Sequence, residues 1–142
     1  MKIVRFRPEH LARLRLQPAQ DGFTQYLSDL QYGRALANDW AFTGMVGDRI
    51  IACAGAVEVW PGRAALWSLL AEDAGRHFVS LHRAVTGFLK AAPWRRMEAT
   101  VDVDFEAGQR WVRMLGFEHE GRLRGYTPDG RDQDLFAKVK NG

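Results

Sequence analysis

The sequence predicts one domain of the α/β class, in which strands and helices follow one another along all 142 residues. Two observations carry this prediction. Apolar residues recur at helical spacing in segments 78–89 and 105–115, whereas segments such as 97–103 alternate between apolar and polar residues, as strands do. The composition, 46% hydrophobic and 26% charged, is ordinary for a globular protein. The predicted element order is βααβββαβαββ.

The first forty residues contain one predicted strand and two predicted helices. Ile3–Arg7 alternates well enough for a strand, and Pro8 then opens a helix that continues through Leu14 or Leu16. The apolar residues between Tyr26 and Ala37 indicate a second helix.

The pattern then changes to that of strands. Trp40–Val46 and Ile50–Trp60 flank a Gly47-Asp48 turn, which predicts a hairpin. Pro61-Gly62 turns the chain again into Ala64–Leu70, a mostly apolar segment typical of a central strand that is covered on both faces.

A long helix and a fifth strand follow. The apolar stripe of Phe78–Leu89 predicts the helix, with Pro93 just beyond its end. Met97–Val103 then alternates as a strand. Its polar face carries Glu98 and Asp102.

The last third of the chain has the clearest pattern. A helix with one apolar face extends from Phe105 to Leu115, and Gly116 stands where a left-handed residue commonly ends a helix. A polar strand comes next, and Pro128-Asp129-Gly130 predicts a turn into a closing strand that reaches Val139.

This succession of helix, glycine stop, polar strand, turn and strand resembles the C-terminal half of the GNAT (Gcn5-related N-acetyltransferase) family. The resemblance in element order covers essentially the whole chain. It implies a mixed, mostly antiparallel sheet of six or seven strands with helices on both faces, splayed open between the fourth strand, Ala64–Leu70, and the fifth, Met97–Val103. The chain also resembles, more loosely, short GNAT-like proteins of bacteriophages and prophages, some of which are associated with the virion interior.

The resemblance implies acetyl-CoA as cosubstrate. In the family, the splayed strands admit the pantetheine arm, a backbone N–H of the fourth strand binds the thioester oxygen, and the loop that opens the long helix binds the pyrophosphate. The corresponding residues are Leu69, Leu70, Ala71, Gly75, Arg76, His77 and Phe78. Only Gly75 matches the family pattern Gln/Arg-x-x-Gly-x-Gly/Ala, since Glu72 and His77 occupy the other two positions. The loop is therefore either a degenerate phosphate site or a plain helix start capped by Asp73.

Acetyl transfer to an amine also needs a base and an acid for the departing thiolate. The family's acid is often a tyrosine four residues before the helix-ending glycine, but Val112 stands there and Tyr126 is the remaining candidate. Candidate bases are Glu58, Glu98 and Asp102, because carboxylates beside a cleft can be desolvated, which raises their pKa. Each of these residues has a plainer reading as a solvated strand residue or a local packing partner.

Other classes of function find less support. Cys53, the only cysteine, lies in an apolar run and favours an inert thiol. The net charge of +3 comes from scattered arginines, for which solvated strand and loop ends are favoured over a phosphate or nucleic-acid surface. The candidates for such a surface are Arg95, Arg96, Arg122, Arg124 and Arg131. No metal-ligand cluster, membrane segment or signal-peptide core is visible in the sequence, and we expect a cytoplasmic protein.

The sequence thus predicts an acyl-CoA-dependent N-acetyltransferase that acts on a primary amine of a small molecule or a protein. The alternative is a catalytically inactive GNAT-fold protein of phage or prophage origin that binds a protein partner or has a structural role. No motif identifies the acceptor or an oligomeric state.

Overall fold

The structure, a computed structural model, describes residues 1–140; residues 141 and 142 of the predicted domain lie outside this range. The strands are β1 (Lys2–Arg5), β2 (Ala41–Val46), β3 (Arg49–Trp60), β4 (Arg63–Leu70), β5 (Arg96–Asp102), β6 (Glu118–Leu123) and β7 (Gln133–Val139). The α-helices are α1 (Leu30–Leu36), α2 (Phe78–Ala91) and α3 (Glu106–Met114). Short 3₁₀ helices span Pro8–Arg13, Pro18–Tyr26 and Ala74–His77.

The strands form a seven-stranded sheet in the order β1-β2-β3-β4-β5-β7-β6. The β1–β2, β2–β3, β5–β7 and β6–β7 pairs are antiparallel, whereas β4 and β5 are parallel. The ladder between β4 and β5 consists of three residue pairs, which are Arg63 with Arg96, Ala64 with Met97 and Ala65 with Glu98. The mixed α/β class and the mostly antiparallel sheet of seven strands are confirmed.

The chain divides into two compact units. One comprises Met1–Val57 and Trp67–Ala92, and the other comprises Glu58–Leu66 and Pro93–Gly142. The sequence-based expectation of a single domain stays a prediction. No helix within residues 1–140 combines the length and the apolar character that are needed to cross a bilayer.

The core of the first unit is built around β3. The neighbouring residues Ile50 and Ile51 are both buried but belong to different hydrophobic clusters, as expected when successive side chains of a strand point to opposite covered faces. One cluster contains Phe6, Leu11, Leu14, Ala41, Ile50, Cys53, Leu69 and Ala71. The other contains Ile51, Ala52, Ala74 and Leu81.

Cys53 is a fully buried member of the first cluster. Its sulfur lies 3.7 Å from Thr43 Oγ1, which in turn is 2.8 Å from His10 Nδ1. Burial raises the pKa of the Cys53 thiol to about 11. The thiol is therefore protonated and inert at neutral pH, in agreement with the sequence-based expectation.

The two N-terminal helices differ from their predictions. The first is a 3₁₀ helix, in which His10 N donates to Arg7 O at 2.9 Å and Leu14 N donates to Leu11 O at 3.2 Å. The second is α-helical only over Leu30–Leu36. Its start is set by Asp29, whose carboxylate accepts from the first-turn N–H groups. The residues before it form a further 3₁₀ helix.

The C-terminal pattern is confirmed in the second unit. Gly116 ends α3 with a φ of +92°, and Gly130 turns the chain toward β7 with a φ of +82°. Asp73, which one of the two readings of the loop made a helix cap, does not cap a helix with its side chain, so that reading is wrong. Asp73 instead pairs with Arg49.

We predict that Gly55→Ala lowers the free energy of unfolding by about 1–3 kcal/mol, because an added methyl has no room. A Cβ at Gly55 would lie 2.6 Å from Trp40 O and 2.7 Å from Ala41 Cα, and backbone atoms cannot rotate away. The matched control is Gly87→Ala within α2, where a Cβ meets nothing within 4 Å. The control should gain about 0.5–1 kcal/mol from helix propensity. Urea unfolding of the three proteins tests this, and equal effects at both sites would contradict it.

Candidate active site

The C-terminal end of β4 lies in the first unit. The resemblance to the GNAT family predicts that the acyl group binds there. Ala71 N donates to Ile51 O of β3 at 2.8 Å. Because the peptide groups of successive strand residues point to opposite edges, the N–H of Leu70 points away from β3. It donates to the side-chain oxygen of Gln20 at 2.9 Å. Among the residues predicted to donate an N–H to the thioester oxygen, Leu70 is therefore the one whose N–H points to the edge of β4 opposite β3. That N–H is already bonded to Gln20.

Residues 15–20, which we name the N-terminal strap, cover this edge of β4. Leu16 forms an antiparallel bridge with Ala71. The backbone bonds are Gln17 N to Leu70 O at 2.9 Å and Glu72 N to Arg15 O at 2.8 Å. Gln20 completes the contact because its side-chain nitrogen donates to Ser68 O at 2.7 Å. The strap thus bonds to backbone groups of Ser68 and Leu70 at the end of β4 and of Glu72 just beyond it.

The loop between β4 and α2 was predicted to present free amides to a pyrophosphate. It forms a 3₁₀ helix over Ala74–His77 instead, which uses several of those amides internally. The bonds are Ala74 N to Ala71 O at 3.0 Å, Arg76 N to Asp73 O at 3.2 Å, and Phe78 N to Gly75 O. Gly75 is exposed, and a Cβ there would meet nothing within 4 Å. The loop is open to a ligand, although its backbone offers few donors.

His77 and Phe78 lie where α2 begins. His77 is partly buried, and Phe78 is 37% exposed with its ring stacked on His82 at 5.6 Å between centroids. A side chain as large as His77 replaces the small residue of the family pattern. Contacts to phosphate from this loop would therefore come from side chains more than from the backbone.

An arginine cleft of about 530 Å³ lies beside the same loop. It is lined by Arg13, Arg15, Asp48, Arg49, Ile50, Ala71, Glu72, Asp73 and Arg76. Four arginines and three acidic residues thus line one concave surface. Of these four arginines, only Arg76 belongs to the loop that the resemblance predicted to bind phosphate.

The arginines of this cleft differ in their ion pairs and hydrogen bonds. Arg49 forms an ion pair with Asp73, and Arg13 donates to the backbone oxygen of Asp48. The guanidinium groups of Arg15 and Arg76 have no ion-pair partner within residues 1–140. Two cations therefore remain available for an anionic ligand, and the pairing of Asp73 removes part of the repulsion expected from the acidic residues.

Glu98, a predicted base, has the opposite electrostatic environment from the one expected. Arg63 donates to both of its oxygens, at 2.7 and 2.9 Å, and Arg96 Nε donates at 2.6 Å. The hydrogen bonds from Arg63, together with those from Arg96, outweigh burial and lower the pKa of Glu98 to about 2. A raised pKa was expected here, and that expectation is wrong. A carboxylate held ionised in this way is poorly suited to act as a general base.

The other acid–base candidates have separate surroundings in the second unit. Glu58 is exposed on β3, and its carboxylate accepts from Trp94 Nε1 at 2.9 Å. Asp102 is buried at the end of β5, where one oxygen accepts from Asp104 N at 2.9 Å and the other lies 2.8 Å from Arg131 Nε. Arg131 thus places a positive charge beside the buried Asp102 carboxylate. Tyr126 is 57% exposed in the turn before β7.

The arginines that the sequence grouped as a phosphate-attracting surface are largely neutralised by carboxylates. Arg96 pairs with Glu98 and with Glu120 at 2.6 Å. Arg122 lies 3.4 Å from Asp134. These contacts favour the plainer reading of solvated ion pairs at strand ends. Within residues 1–140, no three potential ligands gather as a metal site would require.

The sequence patterns did not predict two groups of residues at the candidate site. Gln20 bonds to Leu70, which is fifty positions away along the chain, and no local pattern signals such a contact. The cleft arginines come from three separate segments, around Arg13, Arg49 and Arg76. An Arg-x-Arg pair at Arg13 and Arg15 was the one available signal in the sequence.

The fold is similar to that of several GNAT acetyltransferases of known structure. The structure of Ard1 from Thermoplasma volcanium is similar over 99% of this chain and 98% of its own, with 15% identity and a TM-score of 0.76. A GNAT-family acetyltransferase from Bacillus anthracis matches over 96% of this chain and 93% of its own, with 12% identity and a TM-score of 0.65.

A third similar structure is RimL, a ribosomal L7/L12 alpha-N-protein acetyltransferase in complex with coenzyme A. It matches over 82% of this chain and 76% of its own, with 18% identity and a TM-score of 0.61. At such identities the likeness shows the fold. Comparison with protein-family models gave no match, and neither did comparison with curated proteins.

We predict that Glu98→Gln lowers the free energy of unfolding at pH 7 by on the order of 2 kcal/mol, because it removes the shared carboxylate between Arg63 and Arg96. The folded-state pKa, about 2, lies below the ordinary value of 4.5. The carboxylate therefore stabilises the fold fully above about pH 4.5, and its contribution is lost as the pH falls toward 2.

Chemical unfolding of the wild type and the variant between pH 7 and pH 2.5 measures this difference. The exposed Glu118→Gln on β6 is the control and should differ little from the wild type at any pH. A difference between wild type and Glu98→Gln that stays constant down to pH 2.5 would contradict the assignment.

Proposed function

We propose that this protein is an acyl-CoA-dependent N-acetyltransferase that transfers acetyl from acetyl-CoA to a primary amine of a small molecule or a protein. The GNAT fold supports the class of reaction. The observation that carries the proposal to this chain is the arginine cleft beside the loop after β4, in which Arg15 and Arg76 have no ion-pair partner in the part of the chain that the structure describes.

The chemistry of the cleft suits the anionic end of CoA. A pyrophosphate and a sugar phosphate carry several negative charges, and guanidinium groups bind such oxygens with two parallel hydrogen bonds. The 3₁₀ helix at Ala74–His77 uses backbone donors internally, so in this chain arginine side chains take over much of the attraction. The open space at Gly75 lets a phosphate approach the loop.

The proposed reaction is a direct attack on the thioester. The neutral amine forms a C–N bond with the acetyl carbon, the C–S bond breaks, and CoA leaves as a thiolate that takes up a proton. A backbone N–H at Leu70 would stabilise the oxyanion of the tetrahedral intermediate once its present bond is released. Glu58 is the proposed base for the amine and Tyr126 the proposed acid. Asp102 is not included, because both of its oxygens are engaged.

We predict that acetyl-CoA binds and that Arg76→Gln or Arg15→Gln weakens its affinity about tenfold each, because each loses a charge-assisted hydrogen bond to phosphate. The control is Arg83→Gln, an exposed arginine of α2 that does not line the cleft. Isothermal titration at constant salt measures the three variants. Equal affinities of the Arg76 and Arg83 variants would exclude the cleft as the phosphate site.

We predict that Glu58→Gln lowers kcat about a hundredfold and leaves the Kd of acetyl-CoA unchanged, because a general base acts on the amine and not on the cofactor. Mass spectrometry of the acetylated product measures the rate with a polyamine and with a peptide that has a free N-terminus. Glu106→Gln, exposed at the start of α3, is the control. An unchanged kcat would remove Glu58 from the mechanism, and the absence of product from any amine would contradict acetyl transfer.

The second candidate function is a catalytically inactive GNAT-fold protein, of the phage or prophage type, that binds a protein partner. The bonded N–H of Leu70 favours it, because an occupied donor cannot serve a thioester. The departure of Glu72 and His77 from the family pattern supports it as well. Acetyl-CoA binding separates the two candidates.

A further inference from the structure

Gln20 bonds to β4 as a peptide group of a neighbouring strand would. Its side-chain oxygen accepts from Leu70 N at 2.9 Å, and its side-chain nitrogen donates to Ser68 O at 2.7 Å. A third bond, from Gln17 Nε2 to Gln20 Oε1 at 3.0 Å, fixes the orientation of this amide. One side-chain amide therefore satisfies a donor and an acceptor that lie two residues apart on the same edge of β4.

The rest of the strap bonds to β4 through its backbone. Gln17 N donates to Leu70 O at 2.9 Å, and Leu16 forms the bridge to Ala71. Releasing these bonds requires the main chain to move. The Gln20 amide can leave by rotating its own side chain, because Gln20 is only partly buried.

The position that Gln20 occupies is the one that a ligand amide would use. An extended chain that carries amide groups, such as the pantetheine arm of CoA, can bond to an open strand edge with the same donor and acceptor pattern. The Leu70 N–H is also the edge donor that a thioester oxygen would need. While Gln20 is in place, neither bond can form.

We infer that Gln20 is a gate that occupies the acyl-CoA position on β4 in the free protein and must rotate away when acyl-CoA binds. This inference rests on the proposed function. Binding then exchanges the two bonds of Gln20 with β4 for bonds to the ligand, so part of the binding free energy is spent on opening the gate. Gln20 is not among the described residues that line the arginine cleft, so the cleft stays available whether the gate is open or closed.

The test compares Gln20→Ala with the wild type by isothermal titration, using two probes. Acetyl-CoA has pantetheine amides that would bind the edge of β4 that Gln20 occupies. Adenosine 3′,5′-bisphosphate has phosphates for the arginine cleft but no such amides. We expect acetyl-CoA to bind Gln20→Ala about tenfold more tightly than the wild type, because no bond to Gln20 has to be broken. The bisphosphate should bind both proteins equally. Gln25→Ala, exposed in the same 3₁₀ helix, should bind both probes as the wild type does.

A structural role for Gln20 predicts the opposite sign, since loss of a supporting contact weakens binding. Equal or weaker acetyl-CoA binding by Gln20→Ala therefore overturns the gate while leaving the proposed function in place. If neither protein binds acetyl-CoA, both the gate and the proposed function fall.

Gln20→Met, which keeps the length of the side chain and lacks its amide, covers the case in which Gln20→Ala does not fold. The unmodified chain gives a further readout by nuclear magnetic resonance. The backbone amide signal of Leu70 should shift on saturation with acetyl-CoA and not with the bisphosphate. An unmoved Leu70 signal at saturation with acetyl-CoA would overturn the inference.

Discussion

The polar backbone groups along β4 impose the constraint on which the rest of the candidate site depends. β4 lies inside the sheet but is only partly covered, since Ala64 and Leu69 are buried whereas Ala65 and Ser68 are exposed, so the predicted cover on both faces is wrong. Its buried N–H and C=O groups must still bond to something, because an unpaired buried peptide group costs free energy comparable to a lost hydrogen bond. The first residues of β4 meet this requirement through the short parallel ladder with β5. Its last residues meet it through Ile51 of β3 and through the N-terminal strap. What β4 can offer to a ligand is set by how firmly the strap is held.

Charge pairing divides the arginines of the chain into two kinds. Arg63, Arg96 and Glu98 form a compact network beside the β4–β5 ladder, where the carboxylate is only 13% exposed and stays ionised. Such a group holds local structure and is poorly suited to take up a proton at neutral pH. Arg15 and Arg76, by contrast, line a concave surface and have no ion-pair partner among the described residues 1–140. The contrast explains why residue type alone did not distinguish the arginines that we propose to bind a ligand from those that hold local structure.

The elements defined by local rules were predictable from the sequence. Gly116 and Gly130 have the positive φ values that their positions indicated, and the strands up to β5 lie within a few residues of their predicted bounds. The N-terminal helices were less predictable, since 3₁₀ and α geometry share most of the same apolar spacing. Asp73 has the right residue type for a cap, but its carboxylate pairs with Arg49, which is distant in the sequence.

The candidate site was harder to predict than the fold because it depends on contacts between distant segments. The pKa of Glu98 depends on Arg63, which lies thirty-five positions earlier in the chain. The alternation of apolar and polar residues in β5 therefore could not indicate whether this pKa is raised or lowered. Gln20 lies between the two helices that the sequence predicted, in a stretch without a pattern, yet its amide bonds to β4 of the same unit. Pairings of this kind follow from tertiary structure and leave no trace in spacing or composition.

The burial of Cys53 has a practical consequence. The chain has one sulfhydryl, and in the native state it is both inaccessible and protonated. Chromogenic disulfides such as Ellman's reagent attack only accessible, ionised sulfhydryls, so the folded protein should give no colour of its own. Any colour that develops with intact protein would then count molecules of liberated CoA, and a colour equivalent to one sulfhydryl per chain would report unfolding.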